Sequence, residues 1–173
     1  MAHQAQIDYI NSVKDNHPKF FKNKSVLDVG SMDINGNNTI HFNDCNYLGL
    51  DIGEGKNVDI VCPIHKFVSF YKFDVVISTE MLEHDKYWID SLKAMYDLLK
   101  PKGMLLITAA GSKRKEHGTT RTSPLSSPFT NDYYCNITKE MFEEAFNLNK
   151  DFISFNISSG WNGKDIYFLG FKK

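Results

Sequence analysis

Two short runs of apolar and β-branched residues, FDVVIS at 73–78 and MLLIT at 104–108, constrain the fold of this chain more than any other feature. Such runs are typical of strands that are buried on both faces, as in a parallel sheet covered by helices. Between them, apolar residues recur along one face of a helix: Trp88, Leu92, Met95, Tyr96 and Leu99. Pro101 and Gly103 then form a helix stop signal. The sequence therefore predicts a strand–helix–strand unit with a right-handed crossover.

The flanking segments extend this unit into an α/β chain. The spacing of Ile7, Ile10 and Val13 predicts a helix that ends before Pro18, and another helix begins at Thr138. Further strands are predicted at 25–29, 47–52, 58–62, 152–158 and 166–172. The last two are joined by a glycine-containing turn region, so we expect them to pair antiparallel.

The size and charge of the chain narrow its class. Its 173 residues fit a single domain over 1–173, and 20 Lys and Arg balance 21 Asp and Glu, which disfavours a nucleic-acid partner. No apolar run approaches the ~20 residues of a membrane span. The first residues lack the features of a secretion signal, and the three cysteines form no C-x-x-C pair. We therefore expect a cytoplasmic protein with reduced thiols and no membrane association; the oligomeric state does not follow from the sequence.

Polar residues follow several of the predicted strands. Gly30 comes directly after the first strand, and Asp51, 21 residues later, ends the second. In an open α/β sheet, ligands bind at the carboxyl ends of the strands, where such residues meet. An acid about 20 residues beyond a glycine turn suits the hydroxyls of a ribose. The sequence therefore predicts a nucleoside-type ligand.

The turn after the first strand argues against a dinucleotide. Five residues separate Gly30 from Gly36, so the G-x-G-x-x-G spacing of a nicotinamide-dependent oxidoreductase is missing. Asp28 and Asp33 also place negative charge where a pyrophosphate would lie. A ligand with a cationic amino-acid tail, such as S-adenosylmethionine, fits this turn better.

Five motifs in order carry a family resemblance: VLDVGSMDINGN, YLGLDI, VDIVCPIHKF, FDVVISTEMLEH and LLKPKGMLLIT. From about Ser25 to Thr138 the chain resembles a class I S-adenosylmethionine-dependent methyltransferase. It is similar in particular to a small bacterial and phage-type group with a G-S-x-D-x-N-G turn and a later H-G-T-x-R-T-S-P segment. The resemblance implies an α/β, Rossmann-like fold with a mostly parallel seven-stranded sheet, an antiparallel last strand and helices on both faces. It also implies S-adenosylmethionine as the cofactor.

The resemblance implies the cofactor contacts residue by residue. Asp28, Gly30 and Ser31 would contact the methionine end of the cofactor, and Asp51 with the adjacent Ile52 would contact its ribose. Cys62 and Ile64 would flank the adenine. Thr79 and Glu80, at the end of the fourth strand, would close the site. Two positions depart from the family pattern. Met32 replaces the usual middle glycine, and Pro63 stands where an acid is usual and has no N–H to offer. Pro63 supports the alternative of an inactive cofactor-binding or protein-interaction module.

His84 is the first candidate for catalysis, because the fourth strand ends beside the transferred methyl in this fold. An ordinary histidine pKa of about 6.5 allows it to accept a proton from the acceptor. The alternative is that His84 only fixes the loop before the next helix. His117 is the next candidate. No pair of histidines shows the local spacing of metal ligands, so we predict no metal site.

Residues 110–136 are predicted to form the acceptor side of the pocket, because they follow a strand end yet are too polar for the core. Arg121, Asp132, Tyr133 and Tyr134 are the expected acceptor contacts, and Cys135 stands where an arginine is usual in the group. We expect a small-molecule or sugar (glycan) acceptor, because the N/D-P-P-Y/F motif of nucleic-acid methyltransferases is missing after the fourth strand. The alternative is a surface loop ordered by its own turns.

Overall fold

The computed structural model describes residues 3–173, along which strands alternate with helices. The strands are β1 (Ser25–Val29), β2 (Asn46–Asp51), β3 (Ile60–Val61), β4 (Phe73–Thr79), β5 (Leu99–Ala110), β6 (Phe152–Gly160) and β7 (Asp165–Lys172). The helices are α1 (Gln4–Asn16), α2 (Trp88–Leu98), α3 (Lys139–Ala145) and α4 (Leu148–Asp151). Every predicted strand and helix is present, with shifted ends.

The strands form one sheet in the order β3-β2-β1-β4-β5-β7-β6. Neighbours from β3 to β5 pair parallel, whereas β7 pairs antiparallel with both β5 and β6. Six strands therefore point the same way, and only the last strand of the chain is reversed. The predicted fold class and the antiparallel terminal pair are confirmed.

Successive side chains of β4 point to opposite faces of the sheet, and both faces are buried, so its apolar run is continuous. Val75 packs with α1 in one core cluster, and Val76 packs with α2 in the other. Both side chains are fully buried, because helices cover the sheet on each face. One face is covered mainly by α1 and the other by α2 and α3.

Two strands, β3 and β5, differ most from the predictions. β3 has only two paired residues rather than five, since its ladder stops before Pro63, which has no N–H to donate. β5 begins at Leu99 rather than Met104, because Leu99 pairs with Phe73 as soon as α2 ends. The three cysteines are free thiols. Within residues 3–173, no helix combines the length and apolar character required to cross a bilayer.

Candidate functional site

A cavity of about 600 Å³ lies at the carboxyl ends of β1, β2 and β4. Its wall is built from residues 28–32, 34–38, 50–52, 62–65, 79–81, 84–87 and 126–133. Every residue that the sequence predicts to contact the cofactor lines this wall, because the ends of parallel strands meet at one edge of the sheet. Its volume is in the range of pockets that bury a small ligand.

Gly30 makes the turn that brings β1 into the cavity wall. Its φ of +81° lies in the left-handed region, and its N–H donates to the carbonyl of Leu50 at 2.9 Å. A Cβ built on Gly30 would lie 2.7 Å from the Cβ of Met81, closer than side chains approach. The backbone conformation and the close packing both require glycine here.

Gly30→Ala is expected to lower the free energy of unfolding by about 2–3 kcal/mol, because a left-handed backbone is strained for alanine and Met81 must move. Chemical denaturation measures the loss. Gly163→Ala is the matched control: Gly163 has a similar φ of +88°, but a Cβ there would approach only the flexible side chain of Lys113, so a smaller loss of about 1 kcal/mol is expected. Equal losses in the two variants would contradict a contribution from the Met81 contact.

Asp51 ties the turn after β1 to the end of β2. One carboxylate oxygen accepts the N–H of Met32 at 3.0 Å, and the other accepts the N–H of Ile52 at 2.7 Å. Burial raises the pKa of Asp51, while these N–H donors oppose that rise. A carboxylate oxygen accepts more than one hydrogen bond, so both oxygens keep capacity toward the cavity.

Asp28 is fully buried, and its carboxylate already has partners inside the protein. It accepts the hydroxyl of Tyr47 at 2.5 Å and the amide of Asn38 at 3.0 Å, and Asn38 also donates to Thr79 at 3.1 Å. Burial raises the pKa of Asp28 to about 6. Asp28 therefore positions the turn at 34–38 across the cavity. Asn38 and Tyr47 were not singled out by the sequence.

The opposite end of the cavity is apolar. Ile64 is buried, Ile52 is partly exposed, and Pro63 stands between Cys62 and Ile64 in the wall. The N–H of Cys62 donates to the carbonyl of Asp51 and so is not available to a ligand. A planar ring at this end would be held chiefly by apolar contact.

Glu80 lines the cavity, but its carboxylate belongs to a buried ion group. Arg114 donates to Glu80 and to Asp165, each at 2.9 Å, and His3 lies 3.2 Å from Asp165. Burial, together with the neighbouring carboxyl of Glu83, raises the pKa of Glu80, and Arg114 opposes part of that rise. Arg114 and Asp165 carried no local sequence signal, because they lie more than thirty residues from Glu80 and from each other.

A second group, the Glu83 cluster (Glu83, His84 and His117), lies next to the cavity. His84 lines the wall and is buried, Glu83 is fully buried, and the nearest atoms of Glu83 and His117 are 3.8 Å apart. Burial first, and His117 second, lower the pKa of His84 to about 4. The ordinary histidine pKa assumed from the sequence therefore does not apply, and His84 is neutral at pH 7. Glu83, although it precedes His84, was not singled out by the sequence.

The lowered pKa of His84 has a measurable consequence for stability. A histidine whose pKa falls on folding stabilises the native state fully above pH about 6.5 and loses that contribution as the pH falls toward 4. The stability difference between wild type and His84→Asn should therefore shrink by about 2–3 kcal/mol between pH 7 and pH 4.5 in EDTA buffer. Urea denaturation at each pH measures it. His84→Gln should give the same pH slope, and a constant difference would show that His84 titrates normally.

Part of the predicted acceptor segment reaches the cavity. Residues 126–133, which include Asp132 and Tyr133, form part of the cavity wall. Phe129 packs on Gly53, beside Ile52. Asp132 accepts the N–H of Thr120 at 2.7 Å, so its carboxylate also holds the segment together.

Two other predicted acceptor contacts lie elsewhere. Arg121 is exposed and pairs with Glu116 at 2.7 Å, and it is not part of the cavity wall. Tyr134 lies behind the wall, where its hydroxyl donates to the carbonyl of Lys115 and its ring meets His84 edge to face at 5.5 Å. The structure therefore brings Asp132 and Tyr133 to the cavity but not Arg121, because the turn at 119–122 closes on itself.

Comparison with protein families finds one matching description, a methyltransferase domain, over residues 1–147. That match covers well over half of the chain and includes every strand end that lines the cavity. Among curated proteins, none matches the sequence.

Three of the solved structures with the same fold are methyltransferases of low sequence identity. The 1,6-didemethyltoxoflavin-N1-methyltransferase of Burkholderia thailandensis, with S-adenosylhomocysteine bound, has a TM-score of 0.65 at 15% identity, over 95% of this chain and 77% of that one. The N-methyltransferase NodS of Bradyrhizobium japonicum, also with S-adenosylhomocysteine, has a TM-score of 0.64 at 11% identity, over 97% of this chain and 87% of that one. Magnesium protoporphyrin IX methyltransferase of Synechocystis, with bound S-adenosylmethionine, has a TM-score of 0.62 at 11% identity, over 96% of this chain and 79% of that one. At these identities the likeness concerns the fold.

Proposed function

The chain belongs to the methyltransferase-domain family and is a methyltransferase; from that premise we propose that it uses S-adenosylmethionine to methylate a small-molecule or glycan acceptor. The observation that carries the proposal is the convergence of all the expected cofactor contacts on one cavity. The structural relatives named above were solved with S-adenosylmethionine or its demethylated product, which supports the same cofactor here. We propose that residues 1–173 act as a single methyltransferase domain.

The side chains of the cavity suit the parts of this cofactor. Asp51 accepts hydrogen bonds from the ribose hydroxyls, and the Gly30 turn leaves room for the methionine end. Ile52 and Ile64 provide apolar contact for the adenine. The cofactor supplies an electrophilic methyl group on a sulfonium, so the protein has chiefly to align the acceptor and exclude water.

The acceptor is proposed to bind between His84 and the wall at 126–133. Tyr133 and Phe129 offer ring faces, which favours an acceptor with an apolar side. The neutral imidazole of His84 accepts a hydrogen bond from an acceptor hydroxyl, and with a pKa of about 4 it orients that group rather than removing its proton efficiently. His117 supports His84 from behind, with its ring 5.2 Å away.

Calorimetric titration of the purified chain with S-adenosylmethionine, S-adenosylhomocysteine and NAD tests the proposal. Both adenosyl ligands are expected to bind at one site, and NAD is expected not to bind, because the turn lacks the glycines that admit a pyrophosphate. Binding of NAD alone would overturn the cofactor assignment. Incubation with methyl-labelled S-adenosylmethionine and pools of small metabolites or glycans then tests transfer.

Pro63 favours a second candidate function, an inactive cofactor-binding or protein-interaction module. It stands in the adenine end of the wall and has no N–H to donate. Methyl transfer to any acceptor would exclude this alternative. Binding of S-adenosylhomocysteine without transfer to any pool, in contrast, would support it.

A further inference from the structure

Potential metal-binding atoms of the Glu83 cluster converge beside the cavity. One ligating atom each from Glu83, His84 and His117 lies within 4.8 Å of the other two. His84 and His117 are thirty-three residues apart in the sequence, so their meeting is a product of the fold. Small movements of these side chains would bring the three atoms to the distances at which they bind one metal ion.

Burial of Glu83 is only partly compensated: burial raises the pKa of its carboxyl, and the N–H groups of Glu83 and Ala110 oppose part of that rise. Its side chain is completely buried, and within residues 3–173 neither carboxylate oxygen has a hydrogen bond of normal geometry. Among the described residues, neither buried ring nitrogen of His84 has a hydrogen bond of normal geometry, although the backbone of Tyr133 is near enough to raise its pKa. Native proteins satisfy nearly all such groups, and those left over call for a water or an ion. The nearest guanidinium, that of Arg114, is already bound to Glu80 and Asp165.

The tautomer of His117 leaves its Nε2 able to bind an ion. Its Nδ1 lies 3.2 Å from the carbonyl oxygen of Lys115, and since a carbonyl only accepts, Nδ1 carries the proton. Nε2 of the neutral ring is therefore an acceptor, and it faces the Glu83 carboxylate at 3.8 Å. This distance is too long for a hydrogen bond, but two metal–ligand bonds of about 2.0–2.2 Å each span it. A hydrogen bond from the far ring nitrogen to a carbonyl is also the arrangement that orients histidine ligands.

We propose that Glu83, His84 and His117 bind a divalent transition-metal ion. Two imidazoles and a carboxylate suit Zn²⁺, Mn²⁺ or Co²⁺, whereas Mg²⁺ prefers oxygen ligands throughout. In the other group of potential ligands, His3, Glu80 and Asp165, the two carboxylates already accept hydrogen bonds from Arg114, so it is the weaker candidate.

The position of the site gives it a role in the reaction. Three protein ligands leave at least one coordination position open, and His84 places the site against the cavity. An ion in the site would hold an oxygen atom of the acceptor at that position and lower the pKa of an acceptor hydroxyl, whose proton would pass to water. With the ion bound, His84 would be its ligand and would not contact the acceptor hydroxyl as a hydrogen-bond acceptor. This role rests on the proposed function; the metal site itself does not.

Titration of untagged, chelator-stripped protein with Co²⁺ tests the site, with visible absorption and calorimetry as readouts. One Co²⁺ per chain is expected, with d–d absorption bands that Zn²⁺ abolishes and equimolar Mg²⁺ does not. His117→Ala and Glu83→Gln are each expected to weaken Co²⁺ binding by about 100-fold or more, since loss of even outer-shell partners costs 10–100-fold. His17→Ala, at the end of α1, is the matched control and should bind Co²⁺ like wild type.

Absence of stoichiometric binding, or bands unchanged in both ligand variants, would overturn the proposal, as would a preference for Mg²⁺. Circular dichroism checks that each variant is folded. If His117→Ala is unfolded, the isosteric Glu83→Gln variant provides the test. S-adenosylhomocysteine affinity is measured on the same samples without metal. A protein that binds S-adenosylhomocysteine but no Co²⁺ refutes the metal site alone, and the converse refutes the proposed cofactor alone.

Discussion

Replacing Arg114 by leucine is expected to destabilise the folded chain by about 3–5 kcal/mol. The guanidinium faces two buried carboxylates, Glu80 and Asp165, and it donates to each at 2.9 Å. Its removal leaves both carboxylates in a low-dielectric environment without this partner, and the cost of an uncompensated buried charge far exceeds that of a broken surface pair. Arg114 also lies over the ring of Trp161, so packing is lost as well.

Equilibrium denaturation of Arg114→Leu and of Arg121→Leu measures this difference. Arg121 makes a pair of similar length with Glu116, but on the exposed surface, so its replacement should leave the free energy of unfolding nearly unchanged. Similar losses in the two variants would show that burial does not strengthen the Arg114 group. Arg114→Lys should recover little, because an ammonium cannot reach both carboxylates in the forked geometry of a guanidinium.

Replacing Asp51 by alanine is expected to weaken S-adenosylhomocysteine binding by about 10-fold to 100-fold for each ribose hydrogen bond lost. A hydrogen bond to a charged group contributes on the order of 1.5–3 kcal/mol, and each 1.4 kcal/mol is tenfold in affinity. Calorimetric titration measures the dissociation constant. Some stability is lost too, because Asp51 also accepts the N–H of Met32.

Asp59→Asn is the control for this measurement. Asp59 accepts a backbone N–H from Gly49 on the same strand but lies outside the cavity wall, so its replacement should leave the affinity unchanged. Asp51→Asn keeps an acceptor for Met32 and separates the loss of charge from the loss of the turn. An unchanged dissociation constant in folded Asp51→Ala would show that another acid binds the ribose.

The sheet and the edge that forms the cavity were predictable from the sequence because both depend on local patterns. The apolar runs at 73–78 and 104–108 could be buried only in the centre of a covered sheet, and they form β4 and the body of β5. Residues at the carboxyl ends of parallel strands share one edge whatever the loops do. Gly30, Asp51 and Thr79 therefore line one cavity, as their order in the chain implied.

Contacts between distant loops were decided only by the tertiary structure. Arg121 was expected at the acceptor side, yet the turn at 119–122 directs it to Glu116 on the surface, a choice of a few backbone dihedral angles that no residue spacing encodes. The sequence alone determined where the strands lie along the chain, the glycine turn and the class of ligand that they suit. The fold decided which ionisable groups are buried together, Arg114 with Glu80 and Glu83 with His117, because burial brings together residues that are far apart in the chain.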